Sequence, residues 1–125
     1  MKAPDYYQPI MPYLVLQDAS EFMVFLKEVF EAEIKLIVPR EDGTIMHAEA
    51  VIGKGTIMFS HANEDYLPFP AGMFIFSPKA IEFYDKAIAS GATSLIAPDK
   101  RDYGTSAGFK DQWGNSWWVT VPSEE

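Results

Sequence analysis

The chain has 125 residues, a formal net charge of −8 at neutral pH, and no cysteine. The missing cysteines exclude a disulfide framework, a thiolate ligand and a cysteine nucleophile, and the acidic balance argues against nucleic-acid binding. The length suits one domain with a core of its own. We expect a cytoplasmic protein without a membrane partner, because the chain has no signal-peptide pattern and no apolar run long enough to span a bilayer.

The first half of the chain begins with a predicted strand and helix. Residues 10–17 are rich in apolar, β-branched and aromatic side chains, which predicts a strand. Asp18 with Glu21 three residues later predicts a capping box at the helix start. Apolar residues then recur at i, i+3, i+4, i+7 and i+8, which predicts one buried stripe. That stripe consists of Phe22, Phe25, Leu26, Val29 and Phe30.

Three strands are predicted after this helix. They span residues 34–39, 44–52 and 56–61. A tight hairpin joins the last two, and its length decides where the two histidines of the chain lie. A loop of Gly53-Lys54-Gly55 places His61 across from His47, whereas a two-residue loop moves His61 to the opposite face of the sheet. The sequence leaves both registers open.

The second half repeats this order. Residues 73–76 predict a strand, and Ser77-Pro78 predicts the N-terminus of a helix that ends at Gly91. The apolar stripe of that helix is predicted from Ile81, Tyr84 and Ile88. A strand over residues 93–97, ended by Pro98, precedes a hairpin with arms near 103–111 and 116–121.

A β-α-β-β-β order therefore occurs twice, and the order of elements supports the repeat better than residue identity does. We expect residues 1–125 to form a single domain. Module one spans residues 9–62, a connector spans 63–72, and module two spans 73–122.

This pattern resembles the vicinal-oxygen-chelate superfamily, which includes glyoxalase I, extradiol dioxygenases and bleomycin-resistance proteins. The stretches PYLVLQDASEFMVFLKEVFEAE, MHAE…IGKG and GFKDQWGNSWWV carry the resemblance. The last of them looks like the D-x-x-G-x-x-W ending of the family. The chain is most similar to the small bacterial glyoxalase/bleomycin-resistance-like proteins, over about residues 9–122. The resemblance implies an α+β fold of two βαβββ modules, with curled mixed sheets around a cavity, and a homodimer.

Metal-using members of the superfamily take their ligands from the first and last strands of each module. The corresponding positions here are Met11, Met58 or Phe59, and Trp118, and residues 69–73 offer no ligand. These side chains are poor metal ligands, so the usual metal site is predicted to be absent. They describe an apolar, aromatic cavity of the kind that binds organic molecules.

Further candidates come from strand alternation. His47 and Glu49 are two residues apart on one strand and so share a face, where they would contact a ligand or each other. Alternation also points Trp117 and Trp118 to opposite faces, and we expect Trp118 to face the cavity with Tyr103 near its mouth. The glycines Gly104 and Gly108 predict a bulge or the close approach of another backbone.

Three functions remain open from the sequence. The first is a metal-free binding protein without a cofactor, which takes a small organic molecule into an aromatic, acidic pocket that would suit a cationic ligand. Its candidate ligand-binding residues are Met11, Tyr13, His47, Glu49, Tyr103 and Trp118. The alternative is a lyase, isomerase or dioxygenase that holds a divalent metal with His47, Glu49 and His61. The third is an interaction domain with a filled cavity. The sequence assigns no catalytic residue.

Overall fold

The computed structural model describes residues 2–123, which form eight strands and two helices. The elements in chain order are β1 Tyr13–Leu16, α1 Ala19–Phe30, β2 Glu33–Pro39, β3 Ile45–Ile52, β4 Gly55–His61, β5 Gly72–Phe76, α2 Ala80–Ala89, β6 Thr93–Arg101, β7 Gly104–Lys110 and β8 Ser116–Pro122. The predicted α+β class and the repeated βαβββ order are confirmed. Contacts divide the chain into two compact units, Met1–Phe69 and Pro70–Glu125.

Each unit contains one four-stranded mixed sheet with a helix on one face. The strand order is β1-β4-β3-β2 in the first unit and β5-β8-β7-β6 in the second. In both, the strand before the helix pairs in parallel with the last strand, and the other pairs are antiparallel. We call the face without the helix the open face. Neither helix in residues 2–123 is long and apolar enough to cross a membrane.

Helix α1 buries the five apolar residues that the periodicity predicted. Phe22 meets Phe59 of β4 edge to face, with ring centroids 5.2 Å apart. The capping box is wrong, since Asp18 has a left-handed backbone (φ 48°) and its side chain caps no N–H of the helix. A capping side chain needs extended backbone at that position, so only the Asp18 carbonyl oxygen is engaged, by the Phe22 N–H at 3.0 Å.

Helix α2 differs from its prediction in start and phase. It begins at Ala80 rather than at Pro78, because Ser77 Oγ accepts the Lys79 N–H at 3.1 Å in a turn that precedes the helix. Its buried residues are Ala80, Phe83, Tyr84 and Ala87. Tyr84 is buried as predicted and packs against Phe109, but Phe83 and Ala87 are buried in place of Ile81 and Ile88, and Ile88 is 37 % exposed. Gly91 follows the helix end with φ 106°, as predicted for a C-terminal glycine.

Two strand boundaries also differ. Strand β1 begins at Tyr13, after Pro12, because proline has no N–H to give to the ladder. Strand β6 continues through Pro98 to Arg101 instead of ending there. It is an edge strand, and its register shifts between Ile96 and Asp99, so no ladder bond needs the missing proline N–H.

The closing D-x-x-G-x-x-W motif stabilises the turn between β7 and β8. The Asp111 carboxylate accepts the backbone N–H groups of Trp113 and Asn115 on one oxygen, at 2.9 Å each. Its other oxygen accepts the Asn115 amide at 2.9 Å and the Trp117 indole N–H at 2.8 Å. Gly114 supplies the positive φ of 89° that the turn requires. The motif therefore ties the β7–β8 turn to the fully buried Trp117.

Candidate functional site

The register of the β3–β4 hairpin shows whether the alternative metal site can form. Ile52 pairs with Gly55, so the loop has two residues, and Glu49 pairs with Met58. This register places His61 on the helix-covered face and His47 on the open face, so His47, Glu49 and His61 do not converge. Within residues 2–123, no group of three or more His, Cys, Asp or Glu side chains is placed to hold a metal ion.

The positions that metal-using relatives employ do not fit a metal either. Met58 lies on β4 and offers only a thioether, and Trp118 on β8 offers an indole ring. Neither is a ligand for the divalent ions that His and carboxylate sites hold. Met11 lies in the irregular segment before β1 and is half-buried.

Three of the predicted site residues meet on the open face of the first sheet. His47 Nε2 lies 2.7 Å from Glu49 Oε2, and Tyr13 Oη lies 3.0 Å from His47 Nδ1. The Tyr13 and His47 rings are also stacked, with centroids 5.6 Å apart. Glu49 is 1 % exposed. The prediction that His47 and Glu49 share a face is confirmed, and the imidazole binds the carboxylate directly.

A segment that the sequence analysis missed closes this cluster. The N-terminal arm, residues 4–8, crosses the open face of the first sheet. The Tyr6 hydroxyl donates to Glu49 Oε1 and the Tyr7 hydroxyl donates to Glu49 Oε2, each at 2.5 Å. The arm has no periodicity, and its contacts span more than forty residues. The two adjacent tyrosines are the only sequence signal for this contact, and they do not indicate which residue they bind.

Polar contacts with the β3–β4 hairpin hold the arm. The Gln8 side chain accepts the Thr56 N–H at 3.1 Å and donates to the Lys54 carbonyl oxygen at 2.7 Å. The Thr56 hydroxyl donates to the Tyr6 carbonyl oxygen. These bonds fix the arm at one end of the hairpin, so both phenol rings are brought over Glu49.

The cluster keeps Glu49 ionised and the two phenols protonated. Burial by itself would raise the pKa of the Glu49 carboxyl, but the hydrogen bonds from Tyr6, Tyr7 and His47 outweigh it, and the pKa is lowered. The hydrogen bond to Glu49, followed by burial, raises the pKa of Tyr6 from 10.0 to about 12. The same causes raise the pKa of Tyr7. A buried anion is thus matched by three donors.

The second unit has a pocket on the open face of its own sheet. The pocket has a volume of about 240 Å³. It is lined by Phe74, Ile96, Arg101, Tyr103, Ser106, Ala107, Trp118 and Thr120. Two predicted site residues, Tyr103 and Trp118, are among these eight. Trp117 points the other way into the core, as strand alternation required.

A glycine shapes this pocket. Gly108 of β7 pairs with Trp118 of β8, and a Cβ at Gly108 would lie 2.4 Å from two carbons of the indole ring. The ring therefore lies directly on the β7 backbone. The predicted close approach of another backbone occurs at Gly104, where a Cβ would lie 1.9 Å from the Val121 carbonyl oxygen. Phe74 flanks Trp118 on the neighbouring strand β5. The result is an aromatic wall beside an open space.

The polar groups that line this pocket include two hydroxyls and a guanidinium. Ser106 and Thr120 share a hydrogen bond of 2.7 Å between their hydroxyls. Arg101, whose Nε lies 3.4 Å from an Asp99 oxygen, is the only charged side chain among the eight lining residues. Glu49, another predicted ligand-binding residue, belongs to the first unit and binds Tyr6 and Tyr7 there.

Comparison of the fold with known proteins gives its class. No protein-family model matches the sequence, and no curated protein sequence matches it. The fold is similar to TioX from Micromonospora sp. ML1, with a TM-score of 0.78 and 21 % identity over 94 % of this chain and 100 % of that one. It is also similar to the PhnB protein from Bacillus cereus, with a TM-score of 0.73 and 22 % identity over 91 % and 99 %.

A third similar structure is TnmS3, an antibiotic binding protein from Streptomyces sp. CB03234. Its TM-score is 0.65, with 14 % identity over 94 % of this chain and 100 % of that one. These are vicinal-oxygen-chelate superfamily structures. The chain has the two-module glyoxalase/bleomycin-resistance fold, as the sequence resemblance implied.

Proposed function

We propose that this protein binds a small planar organic molecule in the pocket of its second unit, with the ring stacked against Trp118. The observation that carries the proposal is the aromatic wall of Trp118, Phe74 and Tyr103 on an otherwise open sheet face. Pockets that combine apolar walls with a few polar groups are typical ligand sites. The similar fold of TnmS3, an antibiotic binding protein, supports a binding role.

The polar groups of the pocket favour an acceptor on the ligand. Arg101 presents a guanidinium, which pairs well with a carboxylate. The hydroxyls of Ser106 and Thr120 add a donor or an acceptor. We therefore propose an aromatic ligand with a carboxylate or carbonyl edge in place of the cationic ligand that the acidic composition suggested. Glu49 already has its charge matched by Tyr6, Tyr7 and His47.

Under this proposal, the six predicted ligand-binding residues have different roles. Tyr103 and Trp118 contact the ligand directly. Tyr13, His47 and Glu49 belong to the closed cluster of the first unit, and Met11 has no assigned role.

We also propose a homodimer, as the family resemblance implies. The exposure of Phe74 (61 %) and Phe76 (59 %) on the open face of the second sheet supports it, because large exposed aromatic patches are typical of interaction surfaces.

Calorimetric titration at neutral pH with 2-naphthoate and with 2-naphthylmethylammonium, an alkyl ammonium that keeps its positive charge, tests the ligand site. We expect 2-naphthoate to bind more tightly, and Trp118→Ala to weaken it by about tenfold, the effect of one lost stacking contact. Arg101→Gln should weaken 2-naphthoate and leave neutral naphthalene unchanged. Equal binding of 2-naphthoate to the wild type and to Trp118→Ala would refute the proposal.

A further inference from the structure

The open face of the first sheet already holds two aromatic rings that belong to the chain itself. Tyr6 and Tyr7 of the N-terminal arm point their hydroxyls at separate oxygens of one carboxylate, Glu49. Both O···O distances are 2.5 Å, in the range of charge-assisted hydrogen bonds. Two phenols thus occupy a site that the sheet provides.

The sheet side of this site is suited to phenols. Glu49 is almost fully buried, so its charge requires hydrogen-bond donors. His47 supplies one donor from the sheet and is held in place by Tyr13. The remaining capacity of the carboxylate is directed toward the arm. A phenol offers what fits there, namely an O–H donor on a flat apolar ring, and Lys35 adds an ammonium 5.6 Å from the Tyr6 ring centroid.

The arm is attached in a way that allows exchange. Residues 2–12 contain no helix or strand, so the arm contributes no ladder hydrogen bonds to the sheet. Gln8 and Thr56 provide its backbone anchoring, at the hairpin end. Tyr6 and Tyr7 are themselves only half-buried. The arm can therefore leave without disrupting the core beneath α1.

We propose that Glu49 and His47 form a phenol-recognition site, which Tyr6 and Tyr7 fill in the free chain and from which a phenol-bearing ligand displaces the arm. The phenol has two sources that share this chemistry, a small molecule or the arm of a second copy of the chain. The site consists of first-unit residues alone, and its tests depend on no residue of the Trp118 pocket, so the proposal can fail or hold independently of the proposed function.

The first experiment measures displacement of the arm in the chain of 125 residues. The probe is 4-methylphenol, which reproduces the tyrosine side chain, and its matched control is 4-methylanisole, which lacks the O–H. The Trp118→Ala background removes stacking in the second unit. We expect 4-methylphenol to raise hydrogen exchange in residues 4–10, and chymotryptic cleavage after Tyr6 and Tyr7, by about threefold or more. An equal effect of both probes, or none, overturns the proposal.

The second experiment empties the site. Tyr6→Ala combined with Tyr7→Ala should lower the melting temperature, and 4-methylphenol should restore part of the loss while 4-methylanisole does not. Adding Glu49→Gln should abolish the rescue. Tyr66→Ala, at an exposed tyrosine of the connector, is the matched control and should show no rescue. Rescue that persists with Glu49→Gln would contradict a carboxylate-based site.

Protein concentration distinguishes the two sources of phenol. If exchange protection of residues 4–10 in the wild type is independent of concentration, each chain fills its own site. If protection rises with concentration, the arm of a second copy supplies the phenols. If the doubly substituted chain does not fold, Tyr7→Ala alone is measured in the same way, and absence of any phenol-specific rescue in that variant overturns the proposal.

Discussion

At the scale of single residues, the feature that governs the first unit is one buried carboxylate. Glu49 is surrounded by donors that come from three parts of the chain: the arm, its own strand and, through His47, strand β1. A buried charge is tolerated only when it is paired and hydrogen-bonded. Residue substitutions here should therefore have effects well above those of surface positions.

Glu49→Gln is expected to destabilise the protein by about 2–3 kcal/mol, because the new amide N–H₂ would face donors from Tyr7 and His47. Urea denaturation followed by circular dichroism measures the loss. Glu64→Gln, at an exposed loop residue, is the matched control and should be close to neutral. A cost no larger than that of the control would mean that the cluster does not bind the carboxylate as described.

The pH dependence of stability follows from two pKa shifts of opposite direction. The lowered pKa of Glu49 gives stabilisation that is present above the ordinary carboxyl pKa and lost as pH falls through the lowered value. The pKa of Tyr6, raised from 10.0 to about 12, gives stabilisation that is present below 10.0 and lost as pH rises toward about 12.

Spectrophotometric titration of phenolate absorbance checks the alkaline limb. We expect one tyrosine to titrate near pH 12, and Tyr6→Phe to remove that step. Tyr66→Phe should leave it in place. On the acid limb, Glu49→Gln should lose less stability than the wild type between neutral and acid pH.

At the scale of elements, the β7–β8 hairpin shapes the pocket of the second unit. Gly108 gives the Trp118 ring a place on the β7 backbone, and Asp111 fastens the turn to Trp117 on the other face. The two tryptophans thus have different roles on adjacent positions of one strand. Trp118 lines the pocket, and Trp117 packs in the core.

Gly108→Ala is expected to push the Trp118 ring out of its place, because the new methyl group would overlap two ring carbons. We expect a loss of about 1–3 kcal/mol in stability and weaker binding of 2-naphthoate. Gly72→Ala is the matched control, since a Cβ there meets nothing within 4 Å and φ is not positive. Equal binding to both variants would show that the ring position is irrelevant to the ligand.

Asp111→Asn tests the turn. The amide oxygen can still accept the two backbone N–H groups, but the amide nitrogen would replace the oxygen that accepts from Asn115 and Trp117. We expect a loss of about 2–3 kcal/mol and a changed near-ultraviolet circular dichroism signal from Trp117. Asp102→Asn, at an exposed position, should change neither quantity.

At the scale of the whole molecule, two units of the same element order use their open faces differently. The arm covers the face of the first sheet, whereas the second sheet presents a pocket and exposed aromatic residues. A homodimer is expected on this account. Light scattering coupled to size-exclusion chromatography should give twice the mass of the chain, and a single-chain mass at all concentrations would refute it.

Much of the fold could be predicted from local pattern. The stripe of α1 and the repeated element order follow from periodicity and turn residues, which report burial over short stretches. The phase of α2 could not be predicted, because Tyr84 fits a helical stripe with Ile81 and Ile88 as well as with Phe83 and Ala87. Only the packing of the helix on its sheet decides between the two, and it buries Phe83 and Ala87.

The sequence by itself determined the fold class, the shared face of His47 and Glu49, and the opposite directions of Trp117 and Trp118, because these depend on short-range backbone geometry. The tertiary structure alone decided the hairpin register that separates His61 from His47 and the closure of Glu49 by Tyr6 and Tyr7. A one-residue change of loop length moves the side chains of a strand to the opposite face of the sheet. Contacts between residues more than forty positions apart produce no periodic pattern in the sequence.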